Sequence, residues 1–555
     1  MTSDSLDRPP TGCRFLPVIA TVVFVTIVCG IALSHQQPPA ALPAEAPPDA
    51  FSAMRAMKHV AAIAREPHPL GTAAAEPVRT YLLAELKALG FEPEIQQPHD
   101  ARPIGGPEPK SLPSRRDVRN IIARWRGTGP ARKKALLLSA HYDSRTSGPG
   151  ASDDASGVAA ILESLRALKA GPPPDRDVIA LLTDGEEAGL LGAGVFSEEH
   201  PWAKDVGVAL NFDARGNSGP SYMFEASAGN GWLIEQLAQA LPHPMATSLT
   251  GAVYRIMPND TDFTIYNKHG MPGLNFAFIG GLYYYHSPED TPANLDPRAL
   301  QHQGENLLAM ARHLVRLDLD DVRRDDVVYL SVLQQFVAIY PMGWVIPLMR
   351  IAALAYLVVI ALGLARGRVR LAEIVVGFGV FLLSLVAAMI AADLIWFVVR
   401  DILLNLDVAL VRLDYPLLPI FSIVAVLAAG AVFVRAGRRG SWEGLGLGIL
   451  GWWLAATVAT SLWLPGASYA FLWPLLAILA GQAVAFLVPR GGTVAVLASW
   501  LSAVPLLIIH TMILPGLFVG LNLQMTALLM VPVVLIAGAL VPVAGQVVDG
   551  RVPAV

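Results

Sequence analysis

LLLSAHYDSRTSGPGASDDASG, from Leu136 to Gly157, begins as a buried strand and ends as a helix, with a polar loop between. The run of Leu136, Leu137 and Leu138 after a basic turn predicts a strand of a covered sheet. It ends in His141 and Asp143, whose spacing in extended chain puts both side chains on one side. A Gly- and Ser-rich loop follows, and Asp153 and Asp154 open an apolar helical run, Ala155 to Lys169. In open α/β sheets the edge where strands give way to helices is where ligands bind. An imidazole with carboxylates is a ligand set suited to zinc, although ordinary surface acids would read the same way in this stretch alone.

Outward from it, Phe51 to Asp325 reads as one α/β domain. A helix is expected over Ala74–Leu89, stopped by Gly90, and a Pro/Gly-rich excursion over Pro98–Pro113. Strands are expected at Asn120–Trp125, Val178–Thr183, Val206–Phe212 and Gly273–Ile279, and helices at Trp232–Leu241 and Pro297–Arg316. Strands alternating with helices predict a mostly parallel sheet sandwiched by helices. Polar residues follow the apolar runs directly: His141, Asp143, Glu186, Glu187, Asp213 and His286, with Asp153 at a helix start. Such residues gather on one edge of the sheet. Two histidines and three carboxylates suffice for two zinc ions sharing one carboxylate, and adjacent Glu186 and Glu187 would let one bind metal while the other acts as general base.

The 555 residues are 54% hydrophobic and only 15% charged, because the chain turns apolar after about Tyr340. Seven spans are expected, near 344–364, 371–398, 417–434, 445–464, 469–488, 493–513 and 517–541, in addition to an N-terminal run, Phe15–Leu33, long enough to cross a bilayer. The N-terminal run reads as an uncleaved anchor, with a cleaved signal peptide as the alternative. Arginines follow alternate spans (Arg366, Arg368 and Arg370; Arg435, Arg438 and Arg439; Arg490), and Arg8 and Arg14 precede the first. The positive-inside rule then gives eight spans, both termini cytoplasmic, and an α/β domain outside the cytoplasm: periplasmic or extracellular, or in an organelle lumen. The expected organisation is an anchor to residue 34, a linker at 35–50, the α/β domain at 51–325, a linker at 326–343, a seven-span helical membrane domain at 344–543, and a cytoplasmic tail at 544–555. The two cysteines, Cys13 and Cys29, allow no disulfide framework in the α/β domain, and no basic block suggests nucleic acid.

PHPLGT (67–72), HYDS (141–144), GASDDASG (150–157), DGEEAGLLG (184–192), NFDARG (211–216), NDTDF (259–263) and YHSPEDT (285–291) together resemble the aminopeptidase Y-type family of co-catalytic di-zinc metallopeptidases. The membrane-embedded branch, which includes endoplasmic reticulum metallopeptidases and vacuolar membrane proteases, is most similar, and DVVYLSVLQQFVAIYP resembles that branch's linker. Asn259 departs from the serine many members carry. The resemblance implies a zinc exopeptidase fold and a peptidase, an aminopeptidase first, acting on peptides with two zinc ions. It implies His141 and Asp213 on one zinc, Glu187 and His286 on the other, Asp153 bridging, Glu186 as general base, and Asp143 orienting the His141 ring. Asp260, Asp262, Arg215 and Tyr285 are candidates for the substrate pocket. Alternatives are a glutaminyl-cyclase-like acyltransferase on the same fold and a non-catalytic membrane receptor. His59, His68, His243 and His269 read as surface or loop histidines. Trp344, Trp452, Trp453 and Trp473 read as an interfacial belt.

Overall fold

The structure is a computed structural model and describes residues 16–99, 114–129, 134–257, 259–398, 414–521 and 526–549. Cys13, Arg8, Arg14, nearly all of the excursion at 98–113 and the last six residues of the expected tail lie outside them. The chain divides into two compact units: residues 36–342, and the described parts of 1–35 and 343–555. The second unit opens with α1 (Leu16–Ser34).

The first unit is built on a seven-stranded sheet: β1 (Glu94–Gln96), β2 (Asn120–Trp125), β3 (Ala135–His141), β4 (Val178–Thr183), β5 (Val206–Ala214), β6 (Ser218–Ala226) and β7 (Gly273–Gly280). Their order is β1-β2-β4-β3-β5-β7-β6. The four central strands, β4, β3, β5 and β7, run parallel. The outer three pair antiparallel. The inner strands are largely apolar and almost wholly buried because both faces are covered, as parallel sheets require. Leu136 and Leu138 enter one core with Val208 and Leu210, while Leu137 enters the opposite core with Ile179 and Leu181. The covering helices are α2 (Ala53–Ile63), α3 (Ala75–Ala88), α4 (Ala155–Lys169), α5 (Leu191–Glu199), α6 (Gly231–Ala240), α7 (Ser248–Tyr254), α8 (Asp262–Lys268) and α9 (Pro297–Leu314). In α4, Val158, Ile161, Leu162 and Leu165 are all buried. Full burial of such side chains stabilises by about 1.5–3 kcal/mol each.

The stretches expected as linkers are ordered parts of this unit. Residues 36–50 are strapped along it: Gln301 Oε1 accepts from Leu42 N at 3.0 Å, and Arg55 donates to the carbonyls of Ala44 and Ala46 at 2.7 and 2.8 Å. Residues 326–343 contain a hairpin, β8 (Val327–Val332) with β9 (Phe336–Pro341).

The second unit continues with α10 (Val345–Ala365), α11 (Leu371–Phe397), α12 (Asp414–Gly437), α13 (Trp442–Trp463), α14 (Tyr469–Leu487), α15 (Thr493–Leu521), α16 (Thr526–Ala539) and α17 (Val541–Asp549). Seven described helical stretches are long and apolar enough to cross a membrane. Two boundaries differ from expectation. α15 runs past Pro515 to Leu521, and the last span is divided at Leu540, with Pro542 in the first turn of α17, where its missing N–H has no intrahelical partner to lose. α1 packs on α15: Phe24 stacks on Trp500 at 5.3 Å, and Trp500 Nε1 donates to Thr21 Oγ1 at 3.1 Å. Trp453 does not belong to an interfacial belt. It is fully buried, and its Nε1 donates to Leu535 O at 3.0 Å, because a large side chain between helices fills core volume.

Candidate metal centre

β3, β4, β5 and β7 end at one edge, and the loops leaving that edge carry the polar residues. His141 is the last residue of β3, and Asp213 the next-to-last of β5. Glu186 and Glu187 follow β4, and His286 follows β7. Asp153 comes from the turn before α4. That turn is tight. Gly150 has φ +70°, and a Cβ there would lie 2.6 Å from Asp153 O. Asp154 caps α4 by accepting from Gly157 N at 2.9 Å, and a Cβ on Gly157 would meet that carboxylate at 2.5 Å. The other oxygen of Asp154 accepts from His141 N at 3.3 Å, tying the strand end to the helix start.

Two groups of possible ligands result: His141, Asp153 and Asp213, and Asp153, Glu187 and His286. Asp153 belongs to both and divides its oxygens between them. Its Oδ1 lies 3.0 Å from His141 Nε2, and its Oδ2 lies 3.1 Å from His286 Nε2. Asp213 Oδ1 is 3.9 Å from His141 Nε2, and Glu187 Oε1 is 2.9 Å from His286 Nε2. His286 sits at φ +54°, a region costly for a non-glycine residue and met most often at functional sites.

The surrounding residues fix these groups. The carboxylate of Asp143 accepts from the backbone N–H of Glu186 at 3.1 Å and of Glu187 at 3.3 Å. It also lies 3.5 Å from His141 Nδ1, which is 3.1 Å from the Asp143 carbonyl. Its place is therefore broader than orienting one ring. Asp290 accepts from Ser152 N at 2.8 Å and Asp153 N at 3.2 Å, and Arg145 Nε lies 2.6 Å from Glu187 Oε2. Asp290 sits in the YHSPEDT stretch and Arg145 directly follows HYDS, but neither position advertises a backbone or tertiary contact in the sequence. His68 is buried rather than superficial. Its Nε2 lies 2.7 Å from Tyr142 O, bracing the chain between His141 and Asp143. Of the pocket candidates, Asp262 is buried and accepts from Thr183 Oγ1, Tyr285 stacks on His286 at 3.6 Å, and Arg215 lies over Tyr285. Asp260 is exposed.

Burial raises most of these acids. It pushes Asp213 and Asp184 up to about 7 and Asp262 and Asp290 up to about 6, and holds Glu186 well above the usual carboxylate range. Burial also opposes charge on Asp153, yet the His141 and His286 rings close against its two oxygens hold it below the ordinary range. Burial likewise disfavours a charged His286, but Asp153 and Glu187 outweigh it and lift the ring to about 9. Carboxylates that would keep protons on two imidazoles would equally favour divalent cations, whose binding displaces those protons. A metal also fits the hydrogen-bond census. Glu187 Oε1 and His286 Nε2 are both buried and neither has a hydrogen-bond partner, although they lie close together. Once a cation displaces the imidazole proton, both atoms have a lone pair to offer a shared ion.

Residues 120–311 match the sequence model of Peptidase family M28. The chain carries a peptidase family M28 domain. Endoplasmic reticulum metallopeptidase 1 of Mus musculus is 34% identical over 233 residues, 40% of this chain and 26% of that protein. A vacuolar membrane protease of Candida dubliniensis is 33% identical over 278 residues, 49% of this chain and 29% of that protein. The chain thus spans between a quarter and a third of the length of these curated relatives. Among solved structures, BSAP, a zinc aminopeptidase from Bacillus subtilis, is similar at 16% identity with a TM-score of 0.38, covering 49% of this chain and 98% of that one. Every strand edge and loop described above, from β2 to α9, falls within or beside the M28 domain.

Proposed function

We propose that this chain is a membrane-anchored zinc metallopeptidase, an aminopeptidase, that hydrolyses peptide bonds with two zinc ions. The observation that carries the reading is the division of Asp153: one oxygen lies against His141, the other against His286, and the residue belongs to both ligand groups. His141, Asp213 and Asp153 would hold one ion, and His286, Glu187 and Asp153 the other. Zinc when bound supplies Lewis acidity, acidifying water toward neutral pH and polarising a carbonyl. Glu186 is the general base. It takes the proton of the attacking water and delivers it to the leaving amine. Burial raises its carboxyl toward the working pH, where proton transfer is most effective. Asp143 holds both Glu186 and Glu187 through their backbone N–H groups. The excess of carboxylates over cations around Glu186 suits the free ammonium of a peptide. A cyclase using one zinc would have no need of two complete ligand groups.

In this reading α1 is retained, because it packs on α15 as a member of the bundle, giving eight spans. The arginine loops support both termini in the cytoplasm and the M28 domain on the other side. Cysteines introduced at positions 200 and 438 should label from opposite sides; labelling from one side overturns the topology.

The catalytic assignment is tested by Glu186→Gln, which preserves shape but cannot accept a proton. Zinc should stay bound while turnover falls by roughly 10²–10⁴. Glu187→Ala should instead lose zinc along with activity. A Glu186→Gln protein that loses zinc, or keeps near-full turnover, contradicts the division of roles.

A further inference from the structure

Arg215 leaves β5 two residues after Asp213, and its backbone N–H donates to Phe278 O at 3.0 Å, fixing it at the sheet edge. Its guanidinium lies 5.9 Å from the ring centre of Tyr285, and that ring stacks on His286 at 3.6 Å. Its Nε is buried and has no acceptor. Among the described residues no carboxylate pairs with it, although Asp153, Glu186, Glu187 and Asp213 all act on the Tyr285 beside it. The other nearby arginine, Arg145, is already engaged by Glu187. A buried donor left without an acceptor is costly, and arginine is the side chain whose fork matches a carboxylate. The two ring spacings put the guanidinium no further from the His286 ring than about three residues of extended chain reach, at about 3.3–3.6 Å per residue, and the length of the fork and of a bound carboxylate shortens that span.

We infer that Arg215 receives a carboxylate of the substrate and sets the site's preference for very short peptides, those in which a carboxylate lies one or two residues beyond the scissile bond. This rests on the peptidase reading above and adds the substrate class. The carboxylate is either the chain terminus of a di- or tripeptide or an acidic side chain beside the scissile bond; both present the same group to the same fork.

The test compares the full-length, zinc-loaded protein with Arg215→Gln and Arg215→Lys on Leu-Gly, Leu-Gly amide and Leu-Glu amide, with zinc content measured throughout. The unaltered protein should cleave a carboxylate-bearing substrate over Leu-Gly amide by at least roughly tenfold in kcat/KM, mainly through KM, as expected for a charged hydrogen bond. An advantage for Leu-Gly identifies the terminus, and one for Leu-Glu amide the side chain. Arg215→Gln should bring the ratio to near one with zinc retained, and Arg215→Lys should keep part of it. Calorimetry with Leu-Gly carrying a reduced, uncleavable peptide bond, and with its amide, reads the same preference without turnover. Binding preference without hydrolysis would leave Arg215 as assigned and overturn the peptidase reading. Hydrolysis with no carboxylate preference, or a preference unchanged in Arg215→Gln, would overturn the inference about Arg215 alone. Equal binding of the acid and the amide would overturn it as well.

Discussion

Glu443, in the helical bundle, and Glu187, at the edge of the sheet, are both acids withdrawn from solvent, and they are satisfied very differently. Glu443 is saturated. Its Oε2 accepts from Arg368 Nε at 3.1 Å and Arg490 at 2.9 Å, and its Oε1 accepts from Gln546 at 2.7 Å and from Arg368. One carboxylate thereby ties the loops before α11 and after α14 to α13 and α17. Glu187 has one oxygen paired with Arg145, while the other is buried beside His286 with no hydrogen-bond partner. A charge whose every lone pair is used belongs to the scaffold. A cluster with lone pairs to spare is one that a cation completes.

The contrast can be broken from either side. Glu443→Ala leaves Arg368 largely buried without its partner, and losing one member of a buried pair costs about 3–5 kcal/mol. The unfolding midpoint of the purified protein in detergent should drop accordingly, while zinc content stays unchanged. A bundle indifferent to the change would show that the arginines find other partners. The smaller effect belongs to Asp143→Asn. The amide keeps only one acceptor oxygen, so it cannot hold Glu186 N and Glu187 N on two separate oxygens, and it presents no charge toward His141. Zinc affinity, measured by competition with a chelator, should fall by roughly 10–100-fold, the usual cost of a lost supporting residue around a metal. An unchanged affinity would mean that the loop holds Glu187 without help.

How much of this was legible in the sequence depended on where each signal lies. β2, β3, β4 and α4 begin and end where the apolar runs predict, because turn residues bound each run. β6 was not legible. SGPSYMFEA carries a Gly and a Pro, and its burial alternates as befits an edge strand. The β8–β9 hairpin was hidden because Leu333 and Gln334 make its turn at φ +51° and +53°, without the Gly or Asn that signals such turns. The strand-end polar residues were legible as a set, and the structure brings His141, Asp153, Glu187, Asp213 and His286 together. Asp290 and Asp154 were not, since each acts by accepting from backbone N–H groups that only the folded chain brings near. Trp453 and His68 were misread for a related reason: composition does not say which aromatic or imidazole side chains become interior.

The sharing of Asp153 between two ligand groups is tested most directly by counting zinc. Elemental analysis of the active, full-length protein at saturation should give about two zinc ions per chain, each held by three protein ligands. Asp153→Ala should lose both together, because each group loses one of its three. A single zinc in fully active protein, or an Asp153→Ala variant that releases only one, would contradict the shared-carboxylate centre.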